Sequence, residues 1–522
     1  MSPAEPLPLT PAPSTPRHPV LRPNDAPQLD QTANRSLTAQ VAPSGQIASG
    51  SPNWATGSSK SSTTAPGSAS TPSSGTSPHS KPEPDCSTTS PPQRKHPLSK
   101  IRGELQTATA DGVGAFPAAK VMALVAGMAA GADSIADMDR LRHGAMDSLF
   151  GAVRAPSPLG TFLRAFTHGH VKQLHAVARR LLPQLAAHTP LLPGAATVAY
   201  LDIDDTVRRT HGYAKQGAGY GYSKVKGLNV LLAVLSTPLA APVIPATRLR
   251  KGASGSVRGA ASFVAEALRT AHACGASGLL LLREDSAFYA GEVIAACRAL
   301  GARFSVSARM NASIRKAIAG IAEDAWTAIR YPKALWDEEG RCWVSDAEIA
   351  EVREYTAFTS KPKKQQVTVR LLVRRVKRVN PEGQVQGQGE LFSGYRYHCA
   401  FTDSPLSLVD AEKDHRRHAV VEQVIADLKS GPLAHLPSGD FQANAAWLAL
   451  AAITHNLMRA LGTLASTFHA KATTGTLRDQ LIRVPTRITR GARRLTLRLP
   501  VNWPWREAWS QVFAVLHAPP HP

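Results

Sequence analysis

The pattern of apolar and polar positions changes period several times along the chain. Between about residue 98 and residue 193 the spacing is helical. Residues 118–128 predict an Ala-rich helix, and Asp133-Ser134-Ile135-Ala136-Asp137 starts another behind a capping residue. A Pro-rich turn at residues 154–164 opens a basic helix that runs through Arg180. Then the runs shorten. Residues 197–204, 227–235, 278–286 and 303–309 are β-branched and apolar stretches of strand length, with helices predicted near 259–273 and 290–300. The Pro-rich stretch leading to Arg248, Arg250 and Lys251 reads as a connection. Apolar strands alternating with helices predict an α/β core with a partly parallel sheet.

From Trp326 to Thr402 the texture changes to antiparallel strands, at residues 366–376 and 395–401, around a Gly/Gln-rich turn. A structureless loop of that length is unlikely inside a domain, so a β-rich insertion is the expectation. Residues 415–429 read as one helix with Val421, Val424, Ile425 and Leu428 as its buried stripe. His415, His418, Glu422 and Lys429 then share a side at steps of three, four and seven. A mostly apolar helix at 444–464 follows, then a basic stretch in which Arg494, Thr496 and Arg498 alternate with leucines. Trp503, Trp505 and Trp509 read as packing.

Composition adds an organisation to these elements. Residues 1–96 form a Pro, Ser, Thr and Gly tract with too little apolar surface to offset the entropy of ordering, so disorder is expected there. A start codon placed too far upstream is an equal account of that tract. The expected order is then a helical DNA-binding domain (97–193), a first core part (194–325), the insertion (326–404), a helical second core part (405–470) and a basic C-terminal segment (471–522). Of 522 residues 60 are Lys or Arg, and the formal net charge is +22. A charge of that size concerns partners more than fold, and points to nucleic acid. The five cysteines lack any CxxC pair, which argues against a disulfide framework or zinc ribbon and suits a reducing cytoplasm. The apolar stretches are each broken by charge or proline, so no membrane span is expected.

The candidate chemistry lies in Tyr200-Leu201-Asp202-Ile203-Asp204-Asp205-Thr206. Period-2 alternation puts Asp202 and Asp204 on one face of the strand, Ile203 and Asp205 on the other. Two carboxylates about 4 Å apart repel by roughly 4 kcal/mol at an effective dielectric of 20, so either one holds a proton or a cation sits between them. An isolated strand end fraying into an Asx turn would need no such cation. Asp285 ends another strand, and active groups of such sheets gather at strand ends. Together with Glu422 on a later helix, these residues form the three-carboxylate set used in metal-dependent phosphodiester chemistry.

The chain resembles a bacterial insertion-sequence transposase of the DDE type, nearest to the IS-thirteen-eighty family. The resemblance rests on Leu201-Asp202-Ile203-Asp204-Asp205-Thr206, Arg283-Glu284-Asp285-Ser286-Ala287-Phe288 and Val421-Glu422 through Lys429. The Ala-Pro-Ser-Pro-Leu-Gly-Thr-Phe-Leu-Arg run and Thr454-His455-Asn456-Leu457-Met458-Arg459 extend it. It implies an RNase H-like core with catalytic, metal-binding Asp204, Asp285 and Glu422, and Asp202 as the alternative first carboxylate. It further implies two Mg²⁺ ions (Mn²⁺ substituting), DNA contacts from Lys429, His418 and Arg417, and a homodimer joining double-stranded transposon ends and target in the bacterial cytoplasm, at the nucleoid. Relatives carry a Tyr, Arg, Glu, Lys signature on the third-carboxylate helix. Here its first two positions are His415 and His418, with Arg416 and Arg417 out of register. Two other readings fit parts of the chain. Asp202-Ile203-Asp204-Asp205-Thr206 also matches the DxDxT motif of haloacid-dehalogenase-like phosphatases, with Asp202 as nucleophile and Asp204 as acid/base. A transposase remnant that binds DNA without cutting it is the third.

Overall fold

The acid-rich stretch lies inside one long strand, Val198–Arg209 (β1). It extends beyond Asp204 because Lys226–Thr237 (β2) pairs with it antiparallel from Tyr200↔Ser236 to Arg209↔Gly227. The computed structural model describes residues 38–41, 117–150, 153–211, 214–330, 335–337, 342–344, 346–377, 395–491 and 495–517. Most of the tract expected to be disordered, residues 1–96, therefore lies outside the described residues. Within it Thr38–Val41 pairs antiparallel with Leu495–Arg498, which also pairs with Arg487–Arg490.

The stretch expected as a Pro-rich connection is a strand, Ala240–Lys251 (β3), pairing with β2 through two register shifts. Pro242 and Pro245 lack ladder donors, which an edge strand tolerates and a central one does not. The open edge is partly closed from the side. Asn456 accepts from the Ile244 amide at 2.8 Å and donates to its carbonyl at 2.8 Å, standing in for a neighbouring strand. Asn456 sits on Phe441–Ala465, the long apolar helix the sequence predicts.

On the other side of β1 the pairing is parallel, to Leu279–Glu284 (β4) and from there to Arg303–Ser307 (β5). The helices Ala260–Ala273 (α4) and Gly291–Ala299 (α5) make the crossovers. The insertion does not stand apart: its strands Ala347–Ala357 (β6), Val367–Lys377 (β7) and Tyr395–Thr402 (β8) continue the same sheet, β8 lying antiparallel on β5. The sheet order is β3-β2-β1-β4-β5-β8-β7-β6, with Gly219–Tyr220 beside β2 and Thr327–Ala328 beside β6. Mixed α/β architecture is as the sequence predicts.

Alternation along β1 then decides the two layers. Ala199, Leu201 and Ile203, with Leu280 and Leu282 of β4, meet Phe263, Val264, Ala267 and Leu268 of α4 in one core. The other face of β2, with Leu228, Val230, Leu232 and Val234, packs in a second core. That core combines the early helices Pro117–Ala129 (α1), Pro156–Arg164 (α2) and His168–His188 (α3) with Val420–Lys429 (α8) and Phe441–Ala465 (α9). The early helices are thus half of the layer that carries Glu422. Among the described residues no helix is long and apolar enough to cross a membrane.

The helix expected over residues 415–429 is broken. Leu408–Arg416 (α7) ends, Arg417–Ala419 forms a 3-10 turn, and α8 starts at Val420. His415 lies under β5 and still lines one cleft with His418 and Glu422. There its two ring nitrogens lie 3.0 Å from the hydroxyls of Ser305 and Ser307. Burial pushes the imidazole down to about 3, so His415 is neutral.

Candidate active site

β1 aims Asp202 and Asp204 at α7 and α8, as alternation requires, and their environments differ sharply. Asp202 is fully buried. Arg283, its register partner on β4, grips it with two bonds of 2.7 Å, Nε to Oδ1 and Nη2 to Oδ2. His418 adds its Nδ1 at 3.1 Å from Oδ1. The guanidinium also donates to the Asp414 carbonyl at 2.7 Å and sits 4.2 Å above the Tyr200 ring. The Tyr200 hydroxyl donates to Asp414 Oδ2 at 2.6 Å. This network bolts the end of α7 to β1 and β4. A carboxylate so enclosed has no approach for a substrate phosphate, so Asp202 as phosphatase nucleophile or as alternative first carboxylate has no geometric support. The sequence shows Arg283 two positions before Asp285, but only the register sets it beside Asp202.

Asp205, on the opposite face, is likewise occupied: Arg250 Nη2 donates to it at 2.6 Å and Arg250 Nε donates to Asn229 at 2.9 Å. That leaves Asp204. The register runs Asp202↔Arg283 and Ile203↔Glu284, so the next step sets Asp204 beside Asp285, where the parallel ladder of β1 with β4 ends. Such strands lie about 4.8 Å apart. Burial, then the Asp285 charge and Asp205, raise the Asp204 carboxyl to about 6, against the Asp205 amide that donates to it at 2.7 Å and the His418 ring. Asp285 is also raised, chiefly by burial, although it accepts from Ala287 N at 2.9 Å and feels His418 and Arg309. Both acids are short of positive charge.

Behind them, on the other face of β4, Glu284 is fully buried with neither carboxylate oxygen hydrogen-bonded. Burial and the charge of Asp285 push it well above the usual carboxylate range.

Glu422 is exposed on the first turn of α8 and lines, with Asp285 and His418, a cleft of about 450 Å³. Lys429, at the last turn of α8, is partly desolvated, pushed down by burial and by Arg208 and drawn up by Asp204. It thus lies near enough to Asp204 to feel its charge. Arg417 turns to Asp414, 3.2 Å away, and remains half exposed. The chain therefore brings Asp204 to Asp285 and sets Glu422 in the cleft that Asp285 also lines. Among the described residues no three His, Cys, Asp or Glu side chains stand close enough to form a closed metal cage.

A Mg²⁺-type ion does not need such a cage, because it retains several waters and takes one or two carboxylates. Two adjacent acids with raised proton affinity, open on one side to a cleft bearing a third, fit that donor set.

Residues 117–520 match a family model described as transposase DDE domain group 1. No curated protein matches the chain.

Proposed function

Because the chain belongs to the transposase DDE domain family, we propose that it is an insertion-sequence transposase of the IS-thirteen-eighty branch. It would cut DNA strands at the ends of its element and join them to target DNA. The observation that carries the reading is the register that carries Asp204 beside Asp285 where the parallel β1–β4 ladder ends, both raised in proton affinity and beside a cleft that Glu422 lines. The order β3-β2-β1-β4-β5, antiparallel then parallel, with acids on β1 and β4, supports an RNase H-like core.

In this reading Asp204 and Asp285 would hold the divalent ions, with Glu422 as the further carboxylate. The ions, when bound, activate the attacking oxygen and stabilise the leaving one in an in-line displacement. Water attacks phosphorus at the element end and the bond to the 3′ oxygen breaks, leaving a 3′-hydroxyl. That hydroxyl attacks a target phosphodiester and displaces the target's own 3′ oxygen. Lys429, beside Asp204, holds a phosphate as a point charge, and Asp202 with Arg283 and His418 keeps α7 and α8 in register with the strands. The substrate is double-stranded DNA, bound by a homodimer in a synaptic complex in the bacterial cytoplasm.

The test is Mg²⁺-dependent nicking of element-end DNA by Asp204→Asn, Asp285→Asn and Glu422→Gln. Each amide keeps shape and removes charge. All three should lose cleavage and still bind the same DNA in EDTA. Retained cleavage in any one, with metal still required, removes that residue from the site; retained cleavage in all three overturns the reading.

A further inference from the structure

Arg208 lies four residues past Asp204 in the unbroken ladder of β1, so alternation puts both on the strand face against which α8 packs. At about 3.3 Å per residue they stand about 13 Å apart along the strand. Lys429 feels both ends of this row: burial and then the charge of Arg208 push its ammonium down, while Asp204 draws it up. The loop after α8 brings in a third cation. Arg208 Nη2 donates to the Ala434 carbonyl, and Lys215 Nζ donates to the Leu436 carbonyl two residues on. The neighbour of Lys215 pins it to the same loop: Gln216 N donates to the Gly439 carbonyl at 2.9 Å, and Gln216 Oε1 accepts from Phe441 N at 3.1 Å. These carbonyls orient the cations without neutralising them. Among the described residues none of Arg208, Lys215 and Lys429 forms an ion pair with a carboxylate. Arg208 Nε is buried without an acceptor, and burial pushes both Arg208 and Lys215 down. Partly buried cations without counter-charge are unfavourable in the free protein, and an anion laid along them relieves that cost.

We propose that Arg208 and Lys215 extend the phosphate contact of Lys429 into a track that holds the DNA strand beyond its scissile phosphate. Phosphates of one strand recur every 3.4 Å of duplex axis, so 13 Å sets Arg208 about four nucleotides from the phosphate at Asp204 and Asp285. The guanidinium presents planar paired donors to phosphate oxygens, and each ammonium acts as a point charge. Anchoring on the Ala434 and Leu436 carbonyls cuts the entropy lost when the phosphates arrive, because both long side chains are already ordered. β1 thereby carries metal-facing and DNA-facing groups on a single face, with Asp204 at one point and Arg208 two alternations further. This inference rests on the transposase reading for the position of the scissile phosphate.

The experiment measures binding of a duplex carrying the element end to the full chain in EDTA, from about 0.05 to 0.2 M salt. Arg208→Met and Lys215→Met should each weaken binding by about tenfold at the lower salt. Each should also reduce the slope of log affinity against log salt by about 0.9. Arg208→Lys should restore the slope, which a damaged fold would not. Arg269→Gln removes the same charge from an exposed position on α4, in the layer on the other face of the sheet, and should leave affinity and slope unchanged. A duplex with one uncharged methylphosphonate linkage, moved stepwise, should locate the contact. At a position within about four nucleotides of the element's terminal phosphate, wild type should lose affinity and Arg208→Met should lose none. Unchanged slopes in both methionine variants, no restoration by Arg208→Lys, an equal loss in Arg269→Gln, or losses that add at every linkage would each overturn the track. These arms contain no metal and read no cleavage. Loss of the track therefore leaves the three-carboxylate reading standing, and failure of metal-dependent nicking leaves a track whose slopes still change.

Discussion

The pairing of Asp202 with Arg283 yields the sharpest test, because it separates two aspartates that stand two residues apart on one face. Asp202→Asn would leave a fully buried guanidinium without its carboxylate, and Arg283→Met would leave a buried carboxylate with only His418 beside it. Breaking a buried pair from one side costs about 3–5 kcal/mol. The Arg283 variant also forfeits the bond to the Asp414 carbonyl and the stack on Tyr200, so it belongs at the upper end. Removing both charges together, as Asp202→Leu with Arg283→Met, replaces an ion pair by apolar volume. Such replacements are often neutral, so the double variant should lie within about 2 kcal/mol of wild type. With Asp202→Leu and Arg283→Met as the matching single variants, each costing about 3–5 kcal/mol, the coupling between the two sites should then exceed about 4 kcal/mol. Amide hydrogen exchange of β1 and β4 reads this locally, without assuming that so long a chain unfolds in one step. Asp204→Asn should leave the same amides protected. If Asp202→Asn left protection unchanged and abolished metal-dependent cleavage, Asp202 would be a reacting carboxylate and the structural role argued for it would be wrong.

Four further outcomes follow from the same geometry. Asp204→Asn should stabilise the metal-free protein at pH 7 by about 1–3 kcal/mol, since it removes a carboxylate held ionised against burial and Asp285; lower stability in a thermal melt contradicts this. The sign carries to pH. With the folded carboxyl raised to about 6, the native state takes up a proton there that the unfolded chain does not. Metal-free stability should therefore rise at this group as pH falls from 7 toward 4, while the apparent affinity for Mg²⁺ falls through about pH 6 as protons compete for the carboxylate. Mg²⁺ or Mn²⁺ should raise the melting temperature of wild type and not of an Asp204→Asn, Asp285→Asn double variant, and equal shifts in both would place the ions elsewhere. Asn456→Ala should cost about 2–4 kcal/mol by leaving the Ile244 amide and carbonyl unmatched, read as faster exchange along β3.

The sequence alone determined the elements whose signal is local. Alternation along Tyr200–Asp204 placed two carboxylates on one face, and β1 keeps that arrangement, because side-chain direction in a strand depends only on its period. The apolar runs at β2, β4 and β5 and the helices between them were legible for the same reason, as was the β texture of residues 366–376 and 395–401. What the tertiary structure decided is which partner each group meets. Whether a Pro-bearing segment is a strand depends on its lying at an edge, as β3 does, and no local pattern states that. β6, with charged residues among its apolar ones, shows little period of its own and is held by β7 on one side. The helix through residues 415–429 has unbroken helical propensity, yet it turns at Arg417–Ala419 where Asp414, Arg283 and Asp202 anchor its first half to the sheet. The division of labour between Asp202 and Asp204 is of the same kind: identical residues on one face, one sealed by an arginine from the next strand and the other left open beside Asp285. Charge partners separated by 81 positions in Asp202 and Arg283, or 214 in Tyr200 and Asp414, are fixed by strand register and packing. A linear sequence carries each group's chemistry, but the free energy of a buried charge depends on its neighbours in space, and only the folded chain supplies them.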